Sequence, residues 1–202
     1  DRGSGSVFRL GPIDLEVNAG EMLFIVGGNG SGKSTLLRIL TGLYHSQSGS
    51  ITMDGTLISQ ETAVWYRSHF AVVFSEYHLF DRLYGLGNVP AERVNEMLQL
   101  MQLTDKTAYK NGRFTSLDLS HGQRKRLALL VALLEDRPIL VLDEWAADQD
   151  PPFRRFFYEE LLPQLKQQGK AIVAVTHDDK YFDRADRVVK MEYGEFVSSG
   201  RG

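Results

Sequence analysis

Short runs of uninterrupted apolar residues punctuate the chain at residues 22–26, 70–74, 139–142 and 171–175. Hydrophobicity that is continuous over four or five residues, rather than alternating, suits a strand covered on both faces, as in a parallel sheet. Helical spacing fills the intervals. Leu36, Leu37, Ile39 and Leu40 predict a helix after Lys33 that Gly42 can end. Residues 92–101 put Val94, Met97, Leu98 and Met101 on one face. Ser120 can cap a helix reaching Leu134, with Pro138 beyond its end. Asp150 followed by Pro151 and Pro152 opens one long helix, which Gly169 closes. Alternation at Ile13, Leu15 and Val17 predicts a strand over residues 7–17. Asp54-Gly55 marks a hairpin, and a second one closes about Gly194. Residues 81–89, with Gly85, Gly87 and Asn88 before Pro90, read as a loop. Strands alternating with helices give an α/β fold with a mostly parallel sheet wrapped by helices.

Composition narrows the picture only a little. The 202 residues suit one domain of ordinary globular composition, 43% hydrophobic and 24% charged. A net charge of −3 argues against nucleic acid as a main partner, because such binding relies on neutralising phosphates. The absence of cysteine excludes disulfides and cysteine-held metals. The longest strongly apolar stretch, residues 127–134, is bounded by Arg126 and Glu135 and falls far short of the ~20 residues that cross a bilayer. No signal peptide is visible, and residues 1–6 read as a linker.

The chemistry gathers around Gly27-Gly28-Asn29-Gly30-Ser31-Gly32-Lys33-Ser34-Thr35, which satisfies the phosphate-loop pattern G-x-x-x-x-G-K-[ST]. An apolar strand precedes it and a helix follows. Glycines let the backbone curl so that its N–H groups face phosphate oxygens, with the positive end of the helix dipole behind them. Residues 28–35 are therefore candidate nucleotide ligands. Lys33 can reach the β- and γ-phosphates, and the Ser34 hydroxyl can ligate Mg²⁺. The strand at 139–142 ends in Asp143-Glu144, a candidate Mg²⁺ ligand beside a candidate water-orienting base. His177 follows the strand at 171–175, at the sheet edge where ligands of open α/β sheets bind. Taken alone, a histidine there is more often structural.

Leu119-Ser120-His121-Gly122-Gln123 resembles the LSGGQ signature of ATP-binding-cassette (ABC) ATPases, with His121 where glycine is usual. The order phosphate loop, signature, Asp143-Glu144 and His177 is the order of that family over essentially the whole chain. The resemblance implies a P-loop fold with an N-terminal antiparallel β portion and a small helical subdomain carrying the signature. It divides residues 1–202 into an ATPase core, 1–80 and 136–202, and a helical part, 81–135. It implies ATP and Mg²⁺ as cofactors, with Lys33, Glu144 and the switch histidine His177 as catalytic residues. Asp150 matches the D-loop aspartate. Ser120, Gly122 and Gln123 match residues that meet the nucleotide of the opposite subunit, so ATP should close a homodimer.

Residues 73–81 and 142–151 look more narrowly like the cyclic-peptide and siderophore exporters of the pyoverdine and syringomycin types. That implies a transmembrane domain on the same full-length chain, membrane attachment only through it, and a place on the cytoplasmic face of the bacterial inner membrane. Two departures stand out. Ser75, followed by Glu76, lies where the family has a Mg²⁺-ligating glutamine, which makes Ser75 the candidate ligand. The aromatic that stacks on adenine in the family lies upstream of Phe8. The alternative is a soluble ABC ATPase of the DNA-repair or translation-factor type. The repair class inserts a long coiled coil, but only about 85 residues without heptads separate Lys33 from Ser120. Arg124, Lys125 and Arg126 read as the solvated face of the signature helix, and Trp145 with residues 156–158 as packing or an interface.

Overall fold

The computed structural model describes residues 8–197. The linker reading of residues 1–6, and Val7, lie outside the described residues. A sheet of six strands has the order β10-β9-β1-β8-β7-β4. Its members are β1 (Met22–Val26), β4 (Phe70–Val73), β7 (Ile139–Asp143), β8 (Ala171–Val175), β9 (Arg187–Glu192) and β10 (Glu195–Val197). All pair in parallel except β10, which folds back on β9 through the expected hairpin. Successive side chains leave a strand on opposite faces, which explains the unbroken apolar runs. Phe24, Leu140, Leu142, Ile172 and Ala174 enter one apolar cluster, while Leu23, Ile25, Val141, Val173 and Val175 enter another.

On the first face lie α3 (Ala91–Leu100) and α4 (His121–Leu134), followed by α5 (Pro151–Phe156) and α6 (Leu162–Gln167). Val94, Met97, Leu98 and Met101 join the same cluster as the strands, so the segment read as a helical subdomain shares its core with the sheet. The second face is covered by α1 (Lys33–Leu40) and by Tyr66 of α2 (Ala63–Arg67). Two small antiparallel hairpins complete the chain: β2 (Thr52–Met53) with β3 (Thr56–Leu57), and β5 (Tyr109–Lys110) with β6 (Arg113–Phe114).

Two expectations change. No strand forms over residues 8–17, although burial alternates there as the sequence implied, with Leu10, Ile13, Leu15 and Val17 laid on the second cluster. The alternation survives without a ladder: Pro12 has no N–H to donate, and Gly11 turns to φ 104° to bond Gly194. Nor is the long helix after Asp150 continuous. Residues Phe157–Leu161 between α5 and α6 form a π-turn. Pro163 explains it, because a proline inside a helix lacks a donor and crowds the carbonyl four residues back, which the wider turn relieves.

Candidate functional site

The carboxyl ends of β1, β4, β7 and β8 lie along one sheet edge, and each delivers one part of the site. From β1 the chain enters the phosphate loop. Gly27, Gly30 and Gly32 hold φ of 145°, 76° and 105°. A Cβ on Gly27 would stand 2.2 Å from the Met191 carbonyl oxygen, so this glycine is required by space as well as by conformation. Gly32 is the N-cap of α1 and offers no side chain, which leaves the first amides of the helix free to meet an anion. Gly28, Asn29 and Gly30 are exposed at the loop's tip, Ser31 is buried, and Ser34 and Thr35 are half-buried in the first turn of α1. The Phe8 ring lies against Gly32, within 2.9 Å of where a Cβ would sit.

Lys33 is 5% exposed and turns back over its own loop, its Nζ donating to the carbonyls of Gly27 at 2.8 Å and Gly28 at 3.0 Å. Its ammonium is 3.8 Å from Glu144 Oε1. The same Glu144 oxygen is 3.1 Å from His177 Nε2, which follows β8. Asp143, at the end of β7 and 1% exposed, accepts from Ser34 Oγ through Oδ1 and from Ser75 Oγ through Oδ2, both at 3.1 Å. Ser75 comes from the turn after β4. Hence Lys33, Glu144 and His177 form one set of contacts and Ser34, Ser75 and Asp143 another, and the two make one group because Lys33-Ser34 and Asp143-Glu144 are neighbours along the chain.

Asp143 tests the fit of a metal. Burying a carboxylate is unfavourable without a compensating charge. Among the described residues its oxygens are bonded by hydroxyls, with no ammonium or guanidinium in ion-pair range. Two hydroxyls and a carboxylate are the hard oxygen donors that suit Mg²⁺, which keeps its remaining positions for water and phosphate.

The signature residues are not part of this group. Ser120 is the exposed N-cap of α4, where a capping box satisfies it: Gln123 N donates to Ser120 Oγ at 3.4 Å, and Ser120 N donates to Gln123 Oε1 at 3.0 Å. Gly122 packs so closely on the following turn that a Cβ would come within 2.6 Å of the Asp148 carbonyl oxygen. Asp150 caps α5 by accepting from Phe153 N at 3.0 Å and pairs with Arg126.

Arg124-Lys125-Arg126 corrects the sequence reading, since Lys125 and Arg126 are buried. Arg126 Nε donates to Gln149 Oε1 at 2.8 Å, and its guanidinium lies 3.6 Å above the Phe153 ring. Burial pulls its pKa down, against the opposing charge of Asp150. Lys125 Nζ bonds the Glu144 carbonyl at 2.9 Å and Asp148 Oδ2 at 2.6 Å. Trp145, Phe157 and Tyr158 are core residues. Helical spacing could have found Lys125 and Arg126, which flank Leu129 and Leu130 three or four positions on, a buried stripe.

The ABC transporter family model matches residues 10–147. The ATP-binding protein SyrD of Pseudomonas syringae pv. syringae is 51% identical over 98% of this chain and 36% of its own length. The macrolide export ATP-binding/permease protein MacB 1/2 of Paracoccus denitrificans is 34% identical over 98% of this chain and 31% of its own. The probable syringafactin export ATP-binding/permease protein SyfD of P. syringae pv. syringae strain B728a is 33% identical over 97% and 32%. The chain thus spans about a third of the length of these relatives. A dimeric ATP-binding cassette solved in a post-hydrolysis state with ADP and Pi has the same fold, at TM-score 0.82 and 24% identity over 98% of this chain and 92% of that one. The phosphate loop, the capped Ser120 helix and the Asp143-Glu144 pair all fall inside the matched span, and the chain belongs to the ABC transporter family.

Proposed function

We propose that this chain is the ATP-hydrolysing motor of an exporter, carrying a cyclic-peptide or siderophore-type substrate through a transmembrane domain of the same full-length protein. No helix among the described residues is long and apolar enough to cross a membrane. The transmembrane part would hold this domain at the cytoplasmic face of the bacterial inner membrane. The names of MacB and SyfD, both export ATP-binding/permease proteins, favour this reading over a soluble repair or translation ATPase.

The observation that carries the catalytic reading is the convergence of Lys33, Glu144 and His177 at one sheet edge, beside the Ser34–Asp143–Ser75 group. Residues 28–35 would bind the phosphates through backbone amides, with Lys33 releasing its two loop carbonyls to meet them. Ser34, Ser75 and Asp143 would hold Mg²⁺, which neutralises charge on the β- and γ-phosphate oxygens when bound. Glu144 accepts a hydrogen bond from the attacking water and orients it toward the γ-phosphorus. The new P–O bond forms as the bond to the β-bridging oxygen breaks, and the water's proton passes to the carboxylate and on to phosphate. His177 steadies the Glu144 carboxylate and presents its ring at the γ-phosphate end. Residues 81–135 would act as the helical arm, bringing Ser120, Gly122, Gln123 and the neighbouring Asp150 to the nucleotide of a second copy.

Glu144→Gln tests this. The side chain keeps its size and loses its base, so hydrolysis in the intact protein falls by roughly two to four orders of magnitude while ATP binding persists. Size-exclusion chromatography with ATP and Mg²⁺ then shows an accumulated closed state. Wild-type turnover in this variant would refute the assignment.

A further inference from the structure

Glu144 has a left-handed backbone, φ 50°, although it is not a glycine. A side chain is disfavoured in that region, and a residue stays there only when its surroundings hold it. Two backbone bonds do so. The Glu144 amide donates to the Val175 carbonyl at 3.1 Å, and the Glu144 carbonyl accepts from Lys125 Nζ at 2.9 Å. Lys125 reaches it from α4 and is 4% exposed. An ammonium is buried at a cost unless its hydrogens are directed to acceptors. Here they are directed to Glu144 and to Asp148 Oδ2, the oxygen that also takes His121 Nε2 at 3.3 Å. In the reverse direction the Trp145 indole donates to the Lys125 carbonyl at 2.8 Å. One lysine thus joins α4 and the turn after β7 twice, once through its side chain and once through its main chain.

We propose that Lys125 is the positioning residue of Glu144: its ammonium pins the Glu144 carbonyl so that the carboxylate stays beside His177 and Lys33, while Lys125 itself touches no reacting atom. This rests on the reading of Glu144 as the water-orienting carboxylate. It also means that a shift of α4, whose first turn carries Ser120 and His121, reaches the Glu144 backbone through a single hydrogen bond.

The test is a double-mutant cycle on steady-state ATP hydrolysis in the intact protein, with Lys125→Met, Glu144→Gln and the pair. Methionine keeps the unbranched stem in the core and deletes the donor. For Lys125→Met, kcat drops roughly ten- to a hundredfold, the scale of an ångström-level misplacement, while KM for ATP stays within about twofold. In the Glu144→Gln background the same change alters the residual rate less than about twofold, because the group it positions is already gone. An unchanged kcat in Lys125→Met, or equal fractional losses in both backgrounds, overturns the proposal and leaves Glu144 in its role. Wild-type turnover in Glu144→Gln removes the catalytic reading and this proposal together. Asp148→Asn supplies an arm that does not depend on Lys125→Met folding. It breaks the ion pair but leaves the bond to the Glu144 carbonyl, so kcat stays within about threefold of wild type. A tenfold or larger loss there would make the ion pair, rather than the carbonyl contact, the important element.

Discussion

The phosphate loop and the Ser120 turn both present a helix N-terminus, yet they are built in opposite ways. At the loop, α1 begins on a bare glycine, its first amides have no side-chain cap, and a buried lysine turns back onto the loop carbonyls of Gly27 and Gly28. At the Ser120 turn, α4 begins on a full capping box whose members are exposed or half-buried. The first leaves backbone donors free for a ligand at the expense of helix-end stability. The second stabilises its helix and faces outward. Free donors suit a ligand met directly by the backbone, whereas the capped terminus presents an exposed side chain instead.

Lys33→Ala should break that contrast most severely. It removes the cation folded over the loop, so ATP affinity falls roughly a hundredfold by calorimetry, in line with the loss of hydrogen bonds to a charged group. An affinity within threefold of wild type would mean that the free amides suffice. Gly122→Ala attacks the other terminus. The added methyl meets the Asp148 carbonyl, so α4 is pushed from the turn after Glu144, at about 1–3 kcal/mol of overpacking. Hydrolysis drops while ATP binding at the loop persists, and an unaltered thermal midpoint would show that the contact is not tight.

Smaller again is Ser120→Ala, which deletes the cap. A loss of about 1 kcal/mol, or about 2–4 °C in thermal midpoint, is expected. The same substitution lowers nucleotide-driven association if Ser120 also meets the partner's ATP. The least effect comes from acid. Asp148 is held below its ordinary value of 3.8, first by the hydrogen bond from Lys125 and then by the charges of Lys125 and His121, against the effect of burial. A depressed folded pKa stabilises the protein above the unfolded value and loses that stabilisation as pH falls through the folded one. The difference in thermal midpoint between wild type and Asp148→Asn should therefore shrink as pH drops below about 4. A constant difference across that range would mean the carboxylate is not charge-paired.

Legibility followed the same division. The glycine-loop site could be read almost whole from the chain, since it is strand-ends and short motifs, and each apolar run names its own carboxyl terminus. Ser75 is singled out by the family resemblance, at the glutamine position after the strand at 70–74, and its hydroxyl donates to Asp143. What escaped was partly short local structure and partly burial by neighbours distant in sequence. Lys125 and Arg126 look solvated until Gln149, Asp148 and the Glu144 carbonyl close over them. The helix Ala63–Arg67 is five residues long and too short to show a period, though Tyr66 inside it is buried. The β5–β6 hairpin has two residues per strand, too few for alternation to register, and only its Asn111-Gly112 turn marks it in the sequence. Extended residues 10–17 alternate correctly but have no ladder to join.

Trp145 gives the turn beside Glu144 an optical handle. Its indole is 1% exposed, bonded to the Lys125 carbonyl, and tilted against the Phe157 ring at 4.4 Å, whereas the chain's other tryptophan, Trp65, is 41% exposed in α2. With Trp65→Phe, the indole emission of this chain comes from one residue adjoining Glu144. Any displacement of α4 during a turnover cycle then registers as a change in wavelength and quenching, without a dye and without touching a residue that handles the nucleotide.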